Sequence, residues 1–265
     1  MNLVSITSGS SGNCIYVGTD NTHILVDCGI SGKRIEAGLN SIGIKAEELS
    51  GILITHEHAD HIQGLGVLSR RYGIQIYATK GTIAGILSSK GMGEIDTDLF
   101  NVICVDQSFT IDELNVNPVK ISHDANEPCA YRISNDLRSV GICTDLGTYN
   151  DYIVDSCRGV NAILLEANHD VNMLQVGRYP YQLKRRILSD KGHLSNENSG
   201  RLLCEILHDD LSTIILGHLS EENNLAELAY ETVRLEILMN ECKYKPEDFE
   251  LLVASRTDRS KLIAV

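Results

Sequence analysis

The segment Gly51-Ile-Leu-Ile-Thr-His56-Glu-His58-Ala-Asp60-His61-Ile-Gln-Gly64 constrains this chain more than any other feature. An apolar run delivers the backbone to a turn carrying three imidazoles and two carboxylates within six residues, and a helical pattern follows at once. Residues two apart in an extended chain project to the same side, so His56 and His58 can hold one cation. Asp60 and His61 come after the chain turns into the helix, where they can hold a second cation beside the first. As an ordinary polar cap, the segment would crowd groups that repel or need desolvating, a cost that a bound cation removes. Four side chains do not complete two coordination shells, so the rest of the chain has to bring more ligands.

Three candidates stand just beyond apolar, strand-like runs: His123 after Val119-Lys-Ile-Ser, Asp145 after Gly141-Ile-Cys-Thr and His218 after Ile214-Ile-Leu-Gly. A strand end aims a side chain rigidly and leaves it open to a ligand. Strand-like runs are expected at 3–6, 14–18, 23–27, 51–55, 74–79, 101–105, 114–122, 129–134, 139–144, 160–167, 212–216 and 249–254. Helices are expected at 62–71, 82–90, 148–158, 171–177, 180–188, 196–208 and 224–240. Each half opens with paired strands and ends in strand–helix alternation, which predicts an α/β protein with two sheets face to face and helices outside, a four-layer α/β/β/α sandwich.

With 265 residues, 43% of them hydrophobic, the chain can bury a large core. No Pro/Gly/Ser linker or charge block divides it, so residues 1–265 are expected to form one domain. The formal charge of −13 and pI near 5.1 have the wrong sign for a broad nucleic-acid-gripping surface. With no Trp and 3 Phe, a long base-stacking platform is not expected, although 10 Tyr allow single contacts. No basic, apolar leader and no run near 20 apolar residues is present, which gives the expectation of a cytoplasmic protein without a membrane partner. The 8 cysteines (Cys14, Cys28, Cys104, Cys129, Cys143, Cys157, Cys204 and Cys242) form no C-x-x-C pair and read as buried thiols. His23 and His208 have no supporting neighbours and read as structural. No segment points to a protein partner.

The motif His56-x-His58-x-Asp60-His61, with Asp27 in Ile24-Leu-Val-Asp-Cys-Gly29 and His123, Asp145 and His218 following in order, resembles the metallo-β-lactamase-fold hydrolases along essentially the whole chain. The resemblance implies two divalent ions, Zn or Mn with Fe possible. His56, His58 and His123 would hold one, and Asp60, His61 and His218 the other. Asp145 would bridge the ions, a hydroxide would lie between them, and Asp27 would act as a supporting aspartate. An antibiotic-hydrolysing enzyme is disfavoured by the missing cysteine ligand, and a flavin-associated di-iron reductase by His at position 58.

Two further segments, Glu166-Ala-Asn-His169-Asp170 and Gly192-His193-Leu-Ser195-Asn196, resemble the paired Glu and His motifs of tRNA 3′-end-processing phosphodiesterases. That implies catalytic roles for Glu166 and His193, with His193 as a general acid supported by Glu166, while Asp60, in the metal motif, is expected to bind and orient in the same reaction. Together with Thr7-Ser-Gly-Ser-Ser-Gly-Asn13, Tyr179-Pro, Leu183-Lys-Arg-Arg-Ile187 and Leu216-Gly-His-Leu-Ser220, they resemble the YycJ (WalJ) branch of that superfamily, whose members are described as nucleases.

The turn at 8–13, through Ser10, Ser11 and Asn13, can present hydroxyls and N–H groups to a phosphate, or be an ordinary tight turn. Lys184 and Arg185, with Arg186 beside them, read as phosphate contacts or as a solvated helix face. Ser195 and Asn196, opening a helix, are further phosphate candidates. His169 reads as support behind the ligands or as a core histidine.

The function expected is a dinuclear metal-dependent phosphodiesterase, a nuclease working exonuclease-fashion on a nucleic-acid end or short single strand. The alternatives are a phosphodiesterase for small cyclic nucleotides or phosphosugars, a glyoxalase-II-like thioesterase, and a non-catalytic metal-stabilised regulatory module.

Overall fold

The computed structural model describes residues 1–240 and 243–265, so Cys242 lies outside the described residues. One sheet is built from β1 (Asn2–Thr7), β2 (Cys14–Gly18), β3 (His23–Val26), β4 (Gly51–Leu53), β5 (Ile76–Thr79) and β6 (Phe100–Ile103). The other holds β7 (Phe109–Ile111), β8 (Leu114–Lys120), β9 (Cys129–Ser134), β10 (Ser139–Cys143), β11 (Ala162–Glu166), β12 (Thr213–Gly217) and β13 (Glu250–Val253). A last strand, β14 (Ile263–Ala264), returns to the first sheet beside β1. The orders are β14-β1-β2-β3-β4-β5-β6 and β13-β12-β11-β10-β9-β8-β7. Each sheet is mixed: β3 to β6 and β10 to β13 run parallel, and the remaining pairs are antiparallel.

The strands are apolar on both faces because both faces are covered, and successive side chains serve different cores. Leu3, Ile24, Val26 and Leu53 meet Val140, Leu164 and Ile215 between the sheets. Val4, Leu25 and Ile52 point the other way, into the core shared with α1 (Gly32–Asn40) and α3 (Leu65–Tyr72). Ile163, Leu165, Ile214 and Leu216 pack outward against α5 (Asp151–Cys157), α8 (Asn196–Ile206) and α9 (Ala226–Met239). The result is the four-layer sandwich expected, completed by α2 (Ala59–Ile62), α4 (Lys80–Ser88), α6 (Val171–Val176) and α7 (Tyr181–Ile187).

The expected helix at 62–71 is two pieces, α2 and α3, parted at Gln63 and Gly64. The helix α1 and the strands β7 and β14 were not anticipated: α1 shows only Ile35 and Leu39 at helical spacing, and β7 and β14 have three and two residues. Five of the cysteines are buried as expected, but Cys104 is exposed and Cys204 half-buried. His23 pairs with the Tyr16 hydroxyl at 2.8 Å and His208 Nε2 with the Val160 carbonyl at 2.9 Å, both packing roles.

Candidate metal centre

The ends of the parallel strands, where open α/β sheets place their ligands, supply most of the site. Asp27 follows β3, His56 comes three residues after β4, Asp145 two after β10, Glu166 ends β11 and His218 follows β12. Asp27, Asp145 and His218 all have left-handed backbones, with φ of 63°, 58° and 55°. Non-glycine residues rarely adopt this conformation, and it turns each side chain sharply off its strand. Gly29 lets the chain close over the metal loop: a Cβ there would lie 1.6 Å from the Asp60 carbonyl oxygen.

Three groups of donor atoms converge. Nε2 of His56 lies 3.0 Å from Nδ1 of His58, and Nε2 of His123 lies 3.3 Å from that same atom. Oδ2 of Asp60 is 3.3 Å from Nε2 of His218 and 3.5 Å from Nε2 of His61. Asp145 stands between the groups, with Oδ2 3.1 Å from His61 Nε2 and Oδ1 3.5 Å and 3.6 Å from Nε2 of His218 and His123. Two nitrogens on a tetrahedral ion at about 2.0–2.1 Å are about 3.3 Å apart, so the spacing fits ligands sharing a cation. Oδ2 of Asp145 is also buried without a hydrogen bond, an expensive state unless an ion meets it. His56, His58 and His123, and Asp60, His61 and His218, form two distinct ligand clusters, and His56, His61 and Asp145 link them.

The far nitrogen of four of these rings is held, which fixes tautomer and aim. Thr55 Oγ1 lies 3.1 Å from His56 Nδ1, and the Gly192 carbonyl 3.1 Å from His123 Nδ1. Asp27 Oδ2 lies 2.8 Å from His61 Nδ1, and Asp27 also accepts the Thr55 N–H and hydroxyl, each at 2.8 Å. Glu166 Oε1 meets Nδ1 of both His218 and His193, at 2.9 and 2.8 Å, while its Oε2 accepts the N–H groups of Leu146 and Leu194 at 2.7 and 3.2 Å. Glu166 is fully buried and touches these two histidines, whereas the His193 side chain keeps 17% of its exposure. The His193 ring stands 5.1 Å from that of His123 and 5.2 Å from that of His218, at the mouth of the site.

Burial alone would raise the carboxyl groups, but the imidazoles outweigh it. Asp60 and Asp145 are held well below the usual range, and Glu166 is lowered to about 2. Burial lowers His56 and His123. It would lower His218 and His61 too, but Asp145, with Asp60 and Glu166 at His218 and with Asp27 and Asp60 at His61, raises His218 to about 10 and His61 well above its ordinary value. Three ionised carboxylates converging on buried imidazoles call for positive charge, which protons supply in the bare chain and divalent ions supply in their place.

The remaining expected residues divide. The Asn13 amide nitrogen reaches 3.2 Å from His61 Nε2, and Asn13 Oδ1 also accepts from Ser8 and Gly9, closing the turn. Ser10 and Ser11 are exposed on that turn. Ser195 caps α8 by accepting the Asn198 N–H, and the buried Asn196 side chain pairs with Asn224. Lys184 donates to the carbonyls of Gln175 and Gly177 at 2.7 Å, Arg185 lies over the Tyr181 ring, and Arg186 grips Asp124, the neighbour of His123. His169 is buried beside Asn168 and Ser195, outside the converging donors, and burial lowers it to about 4. Thr55, the Gly192 carbonyl and Ser8, whose hydroxyl accepts the His218 N–H at 2.8 Å, were missed. All three lie in or beside motifs quoted above, but those motifs gave no sign of which histidine each would hold.

A family model described as the β-lactamase superfamily domain matches residues 22–211. "Exodeoxyribonuclease YycJ" of Bacillus anthracis is 42% identical over 228 residues, 86% of each chain. "Exodeoxyribonuclease WalJ" of Streptococcus pneumoniae serotype 2 is 42% identical over 228 residues, 86% of this chain and 85% of its own. Among solved structures, Zn²⁺-bound PqqB from Methylobacterium extorquens aligns over 100% of both chains with a TM-score of 0.73 at 15% identity, a likeness of fold. With the sandwich, two ligand clusters at its strand ends and these matches, the chain belongs to the metallo-β-lactamase superfamily, in the YycJ/WalJ family, and is a metal-dependent hydrolase.

Proposed function

We propose that the protein is a dinuclear phosphodiesterase that cuts nucleotides from the end of a DNA strand. The observation that carries this reading is His193, a partly exposed imidazole beside both ligand clusters whose Nδ1 is held by a buried carboxylate. A thioester hydrolase needs no such acid, and a phosphodiester with an alkoxide leaving group does. The relatives' description as exodeoxyribonucleases supports the same substrate class.

His56, His58 and His123 would hold one ion and Asp60, His61 and His218 the other, with Asp145 shared between them. Imidazole and carboxylate ligation without cysteine suits Zn or Mn, with Fe as the third choice. When bound, two such ions make a water acidic enough to attack at neutral pH and stabilise charge on the phosphoryl oxygens. Glu166 accepts from Nδ1–H of His193 and so turns Nε2 toward the site, from which the protonated ring can give a proton to the departing oxygen. Asp60, lining the same centre, would help hold the second ion and orient the phosphate on that side. Ser10 and Ser11 are the exposed hydroxyls of the adjacent turn and the proposed phosphate contacts there. Of the basic cluster, Arg186 is the member tied to the site, through Asp124.

A leaving-group series tests the acid. His193→Ala should cost about 10²–10⁴-fold with a nucleoside alkoxide and far less with p-nitrophenolate, which departs unprotonated. Equal losses with both would remove His193 from the role. Wild-type turnover of 2′,3′-cyclic nucleotides but not oligonucleotides would instead favour a small-diester enzyme.

A further inference from the structure

A groove of about 510 Å³ opens beside the metal centre and takes the ligand His123 as part of its wall. Its lining includes Lys120, Ser122, Asn150, Tyr152 and Lys191, and no carboxylate. In a chain of charge −13, a carboxylate-free cavity with two lysines is a local exception that composition does not predict. Neither ammonium makes an ion pair or hydrogen bond among the described residues, unlike Lys184, Lys243 and Lys261, which are all engaged. Tyr152 is fixed: its hydroxyl donates to Asp106 Oδ1 at 2.5 Å and accepts the Lys120 N–H at 2.9 Å, and the residue is 38% exposed.

The groove lies on the general-acid side of the centre. Lys191 sits two residues before His193, the Gly192 carbonyl holds His123 Nδ1, and the Ser122 hydroxyl bonds the Asp190 carbonyl at 2.7 Å. One wall is therefore part of the loop that carries His193, two residues on from Lys191.

We propose that this groove is the track for the single-stranded DNA on the leaving side of the scissile bond, with Lys120 and Lys191 neutralising backbone phosphates and Tyr152 supplying a fixed ring for a base. The proposal rests on the nuclease reading above. Lysine–phosphate contacts give affinity without sequence preference, and each adds to the salt dependence of binding, by a slope of about 0.7 for a single strand.

The test uses the metal-loaded protein, a 12-nucleotide single strand and bis(p-nitrophenyl) phosphate, which is too small to reach along the groove. In Lys120→Ala/Lys191→Ala the oligonucleotide KM should rise roughly tenfold. The preference for the oligonucleotide over the small diester in kcat/KM should fall by a similar factor. Anisotropy with a phosphorothioate strand, which resists cleavage, should show the salt slope reduced by about 1.4, two contacts' worth. A control pair of exposed lysines elsewhere, Lys90→Ala/Lys245→Ala, makes the same charge change and should leave KM and slope near wild type. Equal effects from both pairs, or none from the groove pair while the wild type cleaves DNA, would overturn the groove and leave the nuclease reading standing. A wild type that hydrolyses the small diester and leaves every oligonucleotide intact would sink the nuclease reading itself.

Discussion

Glu166→Gln changes one atom and should disable two histidines at once. The buried carboxylate accepts four hydrogen bonds: His193 and His218 on Oε1, and the N–H groups of Leu146 and Leu194 on Oε2. A glutamine accepts on one side only. If its oxygen faces the backbone, its NH₂ confronts two imidazole Nδ1 atoms, which must then become acceptors. His218 in that tautomer carries its proton on Nε2, the atom 3.3 Å from Asp60, and cannot offer it to a cation. If the amide faces the other way, two buried backbone donors lose their acceptor at about 1–3 kcal/mol each, so roughly 2–6 kcal/mol of stability goes. Either way His193 loses the carboxylate that holds its Nδ1. The expected outcome is an affinity loss of about 10–100-fold at the second ion, with the His56, His58 and His123 ion spared, and a rate loss steepest for alkoxide leaving groups. Calorimetric titration resolves the two ions, and the leaving-group series reads the acid. A variant that binds both ions as tightly as wild type, with unchanged stability, would refute the assignment of Glu166 as the group that aims both rings.

Three other outcomes are expected. Gly29→Ala places a methyl 1.6 Å from the Asp60 carbonyl and 2.6 Å from the Asn13 nitrogen, so the metal loop must shift; thermal unfolding should fall and metal affinity with it, and a variant titrating like wild type would contradict the close approach. In the metal-free protein, Glu166 is held at about 2 against an ordinary value near 4.3, so its contribution to stability is full above the ordinary range and lost as pH falls toward 2; the Gln variant should show a shallower acid limb in chemical denaturation over that window. Zn²⁺ at about 1,000 times its Kd should stabilise the fold by about 4 kcal/mol, read as a raised Tm reversed by chelator, and an unmoved Tm would argue against folded-state ligation.

The donor residues that converge in the fold were legible in the sequence because the physics that places them is local. His123, Asp145 and His218 each follow an apolar run, and His56 to His61 share one turn, so strand ends could be read without knowing the sheet order. What holds them was not legible. His123 leans on a carbonyl of Gly192 and His218 on the hydroxyl of Ser8, 210 residues away; a backbone acceptor leaves no pattern in a sequence, and the Gly/Ser-rich turn at 8–13 does not say which distant N–H it will meet. The phosphate candidates show the same limit: composition marks Lys184 as basic, but only the fold shows its ammonium tied to the end of α6. Ser195 and Asn196, at a helix start, serve a cap and a buried amide pair. Lys120 and Lys191, which also lack such ties, are 71 residues apart and meet only in the folded groove. The sandwich itself was predictable because buried parallel strands are apolar on both faces, whereas α1, with two apolar positions, carries too little periodicity to declare itself.

Whether two metal clusters and a Glu166-supported His193 make this chain a DNA-end phosphodiesterase is tested most directly by incubating single strands labelled at the 5′ end and, in parallel, at the 3′ end with the chelated protein, then with protein reloaded with Mn²⁺ or Zn²⁺. Chelation should abolish cleavage, and reloading should give stepwise shortening of one labelled strand and release of labelled mononucleotide from the other, both lost in His193→Ala. An intact strand in every metal, under conditions where a small phosphodiester is turned over, would contradict it.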